Sequence, residues 1–339
     1  MPKTKVGIIN VTGYAGVELA RLLAAHPRIT LTSVSGRSAA GKKLGEVFPH
    51  LAEIDLTICG ELDEVDIAFS ALPHKESAAE VIPLLRKGIR VIDLSADFRL
   101  NNPGQYPVWY GFDHPAPELL EKAAFGLTEL YRSNVASSQL VANPGCYPTG
   151  AVLALAPAIK AGLTTNRFII DSKSGVSGAG RSLSLNTHFA EADENVTAYA
   201  LGGHRHLPEI AQELSKFQTS PAEVTFVPHL VPMTRGILTT AYATLARQIE
   251  PDDLRQIYAD FYKNEPFVRV AATPPHTKHT WGSNLCLVYP SLDTRTGTII
   301  AVSALDNLIK GAAGQAIQNM NVMLGLDERT GLTATAVWP

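Results

Sequence analysis

The sequence predicts a doubly wound parallel α/β domain followed by an α+β domain whose sheet is largely antiparallel. Three observations carry that reading. The first third of the chain alternates short apolar runs with helical patterns, as βαβ units do. A glycine-bearing turn joins the first apolar run to the first helical pattern. Beyond Gly150, β-like runs follow one another with few helices between them, which favours antiparallel pairing.

In chain order, strands are expected over residues 5–9, 29–34, 65–69 and 90–94. Val17, Leu19, Ala20, Leu22 and Leu23 mark a helix that ends before Pro27, and residues 78–87 read as a second. Residues 101–117, rich in Pro, Gly and aromatics, read as an irregular loop. A strand over 140–142, a turn and a helix over 151–161 follow. The second part opens with a short strand at 167–171 and a Gly/Ser-rich loop at 172–181. Further strands are expected at 224–227, 237–245, 285–289 and 298–303, with a helix near 251–263. A last helix begins near Asp306, its apolar stripe formed by Leu308, Ile309, Ala312, Ala313, Ala316, Ile317 and Met320.

The 339 residues suffice for two ordinary domains, and 45% hydrophobic with 18% charged residues is a globular composition. A net charge of −3 without a Lys/Arg run disfavours nucleic acid or a membrane surface as partner. The opening Met-Pro-Lys-Thr-Lys runs straight into an apolar strand, without the features of a signal peptide, so a cytoplasmic chain is expected. Three widely spaced cysteines, Cys59, Cys146 and Cys286, fit neither a disulfide framework nor a zinc site, and no metal is expected.

The turn Asn10-Val11-Thr12-Gly13-Tyr14-Ala15-Gly16 stands where a doubly wound, Rossmann-type domain places a dinucleotide pyrophosphate, against free N–H groups at a helix start. Asn10 occupies the first glycine position of the spacing, and asparagine tolerates left-handed φ. No Asp or Glu occurs from Arg21 through Gly45 to take a ribose 2′-OH. Ser35, Arg37 and Ser38 stand there instead, which suits a 2′-phosphate and so NADP rather than NAD.

Asn143-Pro144-Gly145-Cys146 forms the second turn of interest. Pro148 fits a first helical position, which sets Cys146 at the helix N-terminus among unpaired N–H donors. Such a site favours a thiolate and stabilises an oxyanion formed on attack. Cys59 and Cys286 lie in apolar runs and read as core.

Asn143 through Thr149 resembles the active-site signature of the N-acetyl-gamma-glutamyl-phosphate reductase family, relatives of aspartate-semialdehyde dehydrogenase. The resemblance extends over nearly the whole chain. It includes Thr12-Gly13-Tyr14-Ala15-Gly16, Ala71-Leu72-Pro73-His74, Asp93-Leu94-Ser95-Ala96-Asp97-Phe98-Arg99, Ser174-Gly175-Val176-Ser177-Gly178-Ala179-Gly180-Arg181, His204-Arg205-His206-Leu207-Pro208-Glu209 and Asp306-Asn307-Leu308-Ile309-Lys310-Gly311. Asn10 departs from it, since the family usually has glycine there.

The resemblance implies an NADPH-dependent reductase of arginine biosynthesis that converts N-acetylglutamyl phosphate to the semialdehyde. Its small-molecule acyl phosphate would pass through a thioester on Cys146. One of His204 and His206 would be the acid/base partner; His206 is preferred, with Glu209 orienting it or near substrate. After phosphate leaves, hydride reduces the thioester and the hemithioacetal expels the thiolate with a proton from His206. Arg99 and Arg181, with Arg205 behind them, are candidates for gripping phosphate. Pro73, Ser177, Gly178 and Asn307 are implied at the cofactor, although Asn307 serves equally well as an N-cap. The resemblance further implies a homodimer or homotetramer built through the second domain, and interleaved domains of 1–145 plus 305–339, and 146–304. The alternative substrate is an aminoadipyl or glutamyl phosphate linked to a carrier protein, in lysine biosynthesis.

Overall fold

The computed structural model describes residues 3–339, which divide into two units. The first runs to Pro144 and adds Ala312–Thr333; the second is Gly145–Gly311 with Ala334–Pro339.

In the first unit the chain forms β1 (Thr4–Ile9), α1 (Tyr14–Ala24), β2 (Ile29–Ser35), α2 (Leu44–Val47) and β3 (Ile58–Cys59). It continues through β4 (Ile67–Ser70), α3 (Ser77–Arg86), β5 (Arg90–Asp93), α4 (Gln105–Tyr110), β6 (Ala124–Phe125), α5 (Thr128–Ser137) and β7 (Leu140–Ala142). The strands pair in parallel in the order β3-β2-β1-β4-β5-β7-β6. The order turns back on the two sides of β1, so β2 and β4 flank the strand whose C-terminal end opens into the Asn10–Gly16 turn. Such a switch point is where doubly wound sheets place ligands. β1, β4 and β5 are nearly all buried, hence their uninterrupted apolar runs.

One local expectation fails here. Residues 101–117 are not irregular throughout, because they contain α4. Tyr106 and Tyr110, four apart, both bury against Phe98 and Leu120, and Gly111 ends the helix with φ +68. Pro107 sits in the first turn, where a missing N–H costs no helical bond. The last helix, Gly314–Met323, also belongs to this unit. It buries Gln315, Gln318, Asn319 and Asn321, whose amide nitrogens all donate: Asn319 reaches Gly126 O and Asn143 Oδ1, and Thr128 donates to Asn319.

The second unit begins with α6 (Cys146–Lys160). It continues with β8 (Thr164–Gly175), α7 (Phe189–Ala192), β9 (Thr197–Ala198), α8 (Leu207–Ser215), β10 (Glu223–Val231), β11 (Ile237–Leu245) and α9 (Pro251–Tyr262). β12 (Val268–Val270), β13 (Cys286–Asp293) and β14 (Thr298–Leu305) complete a sheet ordered β12-β13-β14-β11-β8-β10-β9. Most neighbours are antiparallel, but β8–β10 and β12–β13 are parallel. The 167–171 strand therefore runs on to Gly175, and with the 3-10 turn at Val176–Ala179 that follows it takes up most of the expected loop. Ser172 and Ser174 continue the inward alternation because their hydroxyls are satisfied, Ser172 by Thr239 at 2.8 Å.

α6 lies against this sheet and is buried from Tyr147 through Ile159, so it is apolar all round rather than striped. Each of its Val, Leu and Ile side chains contributes about 1.5–3 kcal/mol by burial. α9 is tied to it by Tyr258 and Tyr262, which donate to the carbonyls of Ala154 and Leu153. On the other sheet face Ile169 and Tyr242 remain exposed. Among the described residues no helix is long and apolar enough to cross a membrane.

Candidate active site

In the second unit, Cys146 is the first residue of α6, capped by extended Gly145. The helix thus starts two residues earlier than the Pro148 reading placed it. Pro148 falls in the first turn, still among positions whose N–H has no helical partner. The imidazole of His206 packs directly on Gly145: a Cβ there would lie 2.7 Å from Nε2. Only glycine lets this ring stand beside the residue that precedes the thiol. Gly311 packs on the other side, where an added Cβ would meet Cys146 Cβ at 2.8 Å.

His206 and Glu209 are placed by α8, for which His206 is the N-cap residue. Glu209 is fully buried, and its Oε1 accepts the Gly145 N–H at 2.7 Å. It holds the backbone of the thiol turn, a placement deeper than direct substrate contact would need. His204 lies in a box of Tyr147, Tyr199, His206 and Phe226. Burial, with help from the neighbouring Arg205 cation, pushes its pKa down to about 4. Its Nδ1 accepts the His206 backbone N–H at 3.0 Å. A neutral imidazole with that acceptor engaged carries its proton on Nε2. The Tyr147 and Tyr199 hydroxyls meet at 3.1 Å, and burial raises both phenols, Tyr199 to about 12. Tyr147 lies within the Asn143–Thr149 signature, but Tyr199 and Phe226 escaped the sequence reading, because a lone aromatic in a strand or loop carries no spacing signal.

Asn307 is 2% exposed, with both ends of its amide engaged. Its Oδ1 accepts from Gly236 N at 2.7 Å and its Nδ2 donates to Ser177 Oγ at 2.9 Å. In this conformation it braces the Val176–Ala179 turn that carries Ser177 and Gly178. The helix cap is Asp306, which accepts from Leu308 N and Ile309 N. The segment after it is a π-turn, Ile309–Ala313, before the α-helix begins at Gly314. Arg181 and Arg205 are exposed.

In the first unit, Asn10 takes φ +64, donates to Ala71 O at 2.9 Å and accepts from Thr12 Oγ1 at 3.3 Å. Gly13 starts α1 with no side-chain cap, leaving the first N–H groups to a ligand. A Cβ at Gly16 would stand 2.4 Å from Asn10 O, so glycine is required for the helix to pack on the turn. Tyr14 is exposed, with Thr12 and Ala15 half-buried beside it, and Pro73 is exposed. Ser35 is buried at the end of β2, while Arg37 and Ser38 are exposed just beyond it. An uncapped helix start, a close-packed glycine and a cation past β2 fit a dinucleotide carrying a 2′-phosphate.

Arg99, a candidate phosphate grip, is buried in this unit. Its Nε donates to Asn143 O and its Nη2 to Leu94 O, both at 2.7 Å. It fastens the chain three residues before Cys146. Asn143 is further held by Asp93 O, Ala312 O and Asn319.

The parallel sheet of the first unit and the mixed sheet of the second place the chain in the semialdehyde dehydrogenase class. Two family models agree: the semialdehyde dehydrogenase NAD binding domain matches residues 5–138, and the dimerisation domain matches 146–307. Among solved structures, aspartate semialdehyde dehydrogenase II from Vibrio cholerae, complexed with ASA, aligns with TM-score 0.71 and 17% identity over 96% of this chain and 99% of that one. The Candida albicans enzyme with NADP aligns at TM-score 0.66 and 16% identity, covering 95% and 98%. Those likenesses establish the fold. A curated relative from Dehalococcoides mccartyi, named N-acetyl-gamma-glutamyl-phosphate reductase, is 58% identical over the full length of both chains. One of the same name from Pelotomaculum thermopropionicum is 48% identical over 99% of each. The chain belongs to the N-acetyl-gamma-glutamyl-phosphate reductase family.

Proposed function

We propose that this protein reduces N-acetyl-L-glutamyl 5-phosphate to N-acetyl-L-glutamate 5-semialdehyde, with NADPH as reductant and Cys146 as nucleophile. The observation that carries the reading is Cys146 at the first turn of α6 beside His206, in a chain 58% identical to a reductase of that name. His206 accepts the thiol proton as Cys146 Sγ attacks the acyl carbon. The positive end of the α6 helix dipole favours the oxyanion. The carbon–oxygen bond to phosphate breaks, phosphate leaves with the proton from His206, and a thioester remains. Thr12–Gly16, Ser35, Arg37, Ser38 and Pro73 of the first unit would hold NADPH, which would supply a hydride for the thioester carbon. Collapse of the resulting hemithioacetal anion breaks the carbon–sulfur bond and releases the aldehyde, and the expelled thiolate takes a proton from His206, reprotonated from solvent after phosphate has left, which restores the thiol. Glu209 and Asn143 keep the turn in place throughout. Ser177 and Gly178 complete the cofactor contacts, with Asn307 bracing them. The exposed Arg181 and Arg205 attract the phosphate, and His204 packs the imidazole wall.

The chain works as a homodimer or homotetramer assembled through the second unit. The dimerisation-domain match and the exposed Ile169, Tyr242, Leu183, Phe189 and Val196 support this. Three free cysteines, one of them catalytic, suit a reducing cytoplasm. The test is NADPH oxidation with freshly prepared acetylglutamyl phosphate, beside Cys146→Ala. Turnover by the native chain should drop by roughly 10³-fold or more in the variant. Turnover that survives the substitution would sink the thioester route.

A further inference from the structure

Arg37 stands immediately past β2, and its guanidinium is held by two carboxylates. Nη1 lies 2.8 Å from Glu76 Oε2, and Nη2 lies 3.3 Å from Glu80 Oε1. Glu76 is the N-cap of α3 and Glu80 stands in its first turn. Their position is fixed from below. Buried Asp97 accepts the backbone N–H of Lys75 at 2.8 Å and of Ala78 at 2.9 Å, and Lys75 is forced to φ +75. β2 and β4 flank β1, so this ion pair bridges the two sides of the strand from which the phosphate turn emerges.

We propose that Glu76 and Glu80 are specificity-determining residues that stand in for a 2′-phosphate on Arg37 and compete with it. The inference rests on the NADP reading above. Two carboxylate oxygens on the two arms of one guanidinium reproduce the bidentate contact a phosphate makes. All three side chains are about half exposed or more, so the pairs are weak and exchangeable. A phosphate that arrives must take Arg37 from both carboxylates, and it meets their charge as it does so. A nucleotide without the 2′-phosphate leaves the pairs intact. The acids therefore reduce the margin by which the site prefers NADP over NAD. Exposed charges are screened by salt, so the penalty shrinks as ionic strength rises.

The experiment is calorimetric binding of adenosine 2′,5′-bisphosphate and of ADP, neither of which carries a nicotinamide. It uses the full chain and its E76Q/E80Q, R37Q and triple variants at low and high salt. E76Q/E80Q should bind the 2′,5′-bisphosphate roughly 3–10-fold more tightly at low salt, with ADP changed less than about 2-fold. R37Q should weaken the bisphosphate by about 10-fold or more and erase the gain from E76Q/E80Q in the triple variant. Unchanged or weaker bisphosphate binding in E76Q/E80Q, with R37Q still costly, overturns the competition and leaves the NADP reading standing. R37Q without effect on the bisphosphate overturns both.

Discussion

Two strand-to-helix turns in this molecule are built from the same parts. Asn10–Gly16 leads from β1 into α1, and Asn143–Cys146 leads from β7 into α6; each opens with asparagine and starts its helix on an extended glycine. Their surroundings differ. Asn10 is half exposed, α1 begins without a side-chain cap, and Tyr14 faces solvent. Asn143 is 1% exposed and bonded through its N–H, its carbonyl and both ends of its amide, and the Gly145 N–H is taken by buried Glu209. A helix start that binds an anion must leave its N–H groups open. One that carries a nucleophile must be immobile, because a misplacement near 1 Å costs on the order of 10²-fold in rate.

The largest way to break this contrast is Gly145→Ala. The added methyl drives the His206 ring away from the turn, so kcat should fall about 10²-fold. Cofactor binding should be unchanged, because Gly145 belongs to the thiol turn. Stopped-flow kinetics beside a nucleotide titration separates the two. An unchanged kcat would remove His206 from the chemistry.

Gly16→Ala is the matching change in the open turn. Its Cβ collides with backbone, at Asn10 O and Val11 Cα, which cannot swing aside as a side chain can. Affinity for NADPH should drop about 10-fold or more, with roughly 1–3 kcal/mol lost in stability. Thiol alkylation of Cys146 by iodoacetamide, in the absence of cofactor, should proceed at the native rate. A slower rate would mean the two turns are not independent.

How much of this was legible in the sequence follows from where the information lies. Local pattern located β1, β2, α3 and β11 because the apolar run, alternation or helical spacing of each is complete within its own segment. It did not extend β8 beyond Asp171, because the run Ser172–Gly175 reads as loop until Thr239 is known to satisfy Ser172. α4 was missed for a similar reason: Pro and Gly masked the i,i+4 pair Tyr106 and Tyr110. The Cys146 turn stood out by its local chemistry, within a few residues of chain, whereas the roles of His204 and His206 came from the family resemblance. The supports were not readable, since Glu209 meets Gly145 and Asn319 meets Asn143 across separations of 64 and 176 residues. Arg99 shows the same limit. Its charge suggested phosphate, while its burial assigns it to two carbonyls.

The pH response sharpens the difference between the units. His204 titrates near 6.5 unfolded and about 4 folded, so the fold holds its neutral form. Its contribution is complete above pH 6.5 and is lost as pH falls toward 4, by up to roughly 3 kcal/mol. Asp93, in the first unit, moves the other way. Burial outweighs its bonds from Ser77 and Ser95 and raises it to about 6, so its contribution is complete below its unfolded pKa near 3.8 and is lost as pH rises through 6. Urea denaturation of His204→Asn, whose side chain can still accept the His206 N–H, should lose part of the acid destabilisation between pH 6.5 and 4. An unaltered pH slope would show that His204 is charged in the fold.

Asn10→Gly should give the smallest effect, because two opposing contributions partly cancel. Glycine relieves the left-handed backbone, φ +64, where a residue with a Cβ is strained by about 1 kcal/mol. It also deletes the bonds to Ala71 O and from Thr12 Oγ1, each contributing about 0.5–1.5 kcal/mol. The net change should be a loss of about 2 kcal/mol at most, and NADPH affinity should stay within about 3-fold. Asn10→Ala separates the contributions, since it loses the same bonds and keeps the strain. It should be less stable than Asn10→Gly by about 1 kcal/mol in chemical denaturation. Equal stability of the two variants would mean the turn relaxes to negative φ, so that the side-chain bonds of Asn10, rather than its tolerance of left-handed φ, keep the open turn in shape.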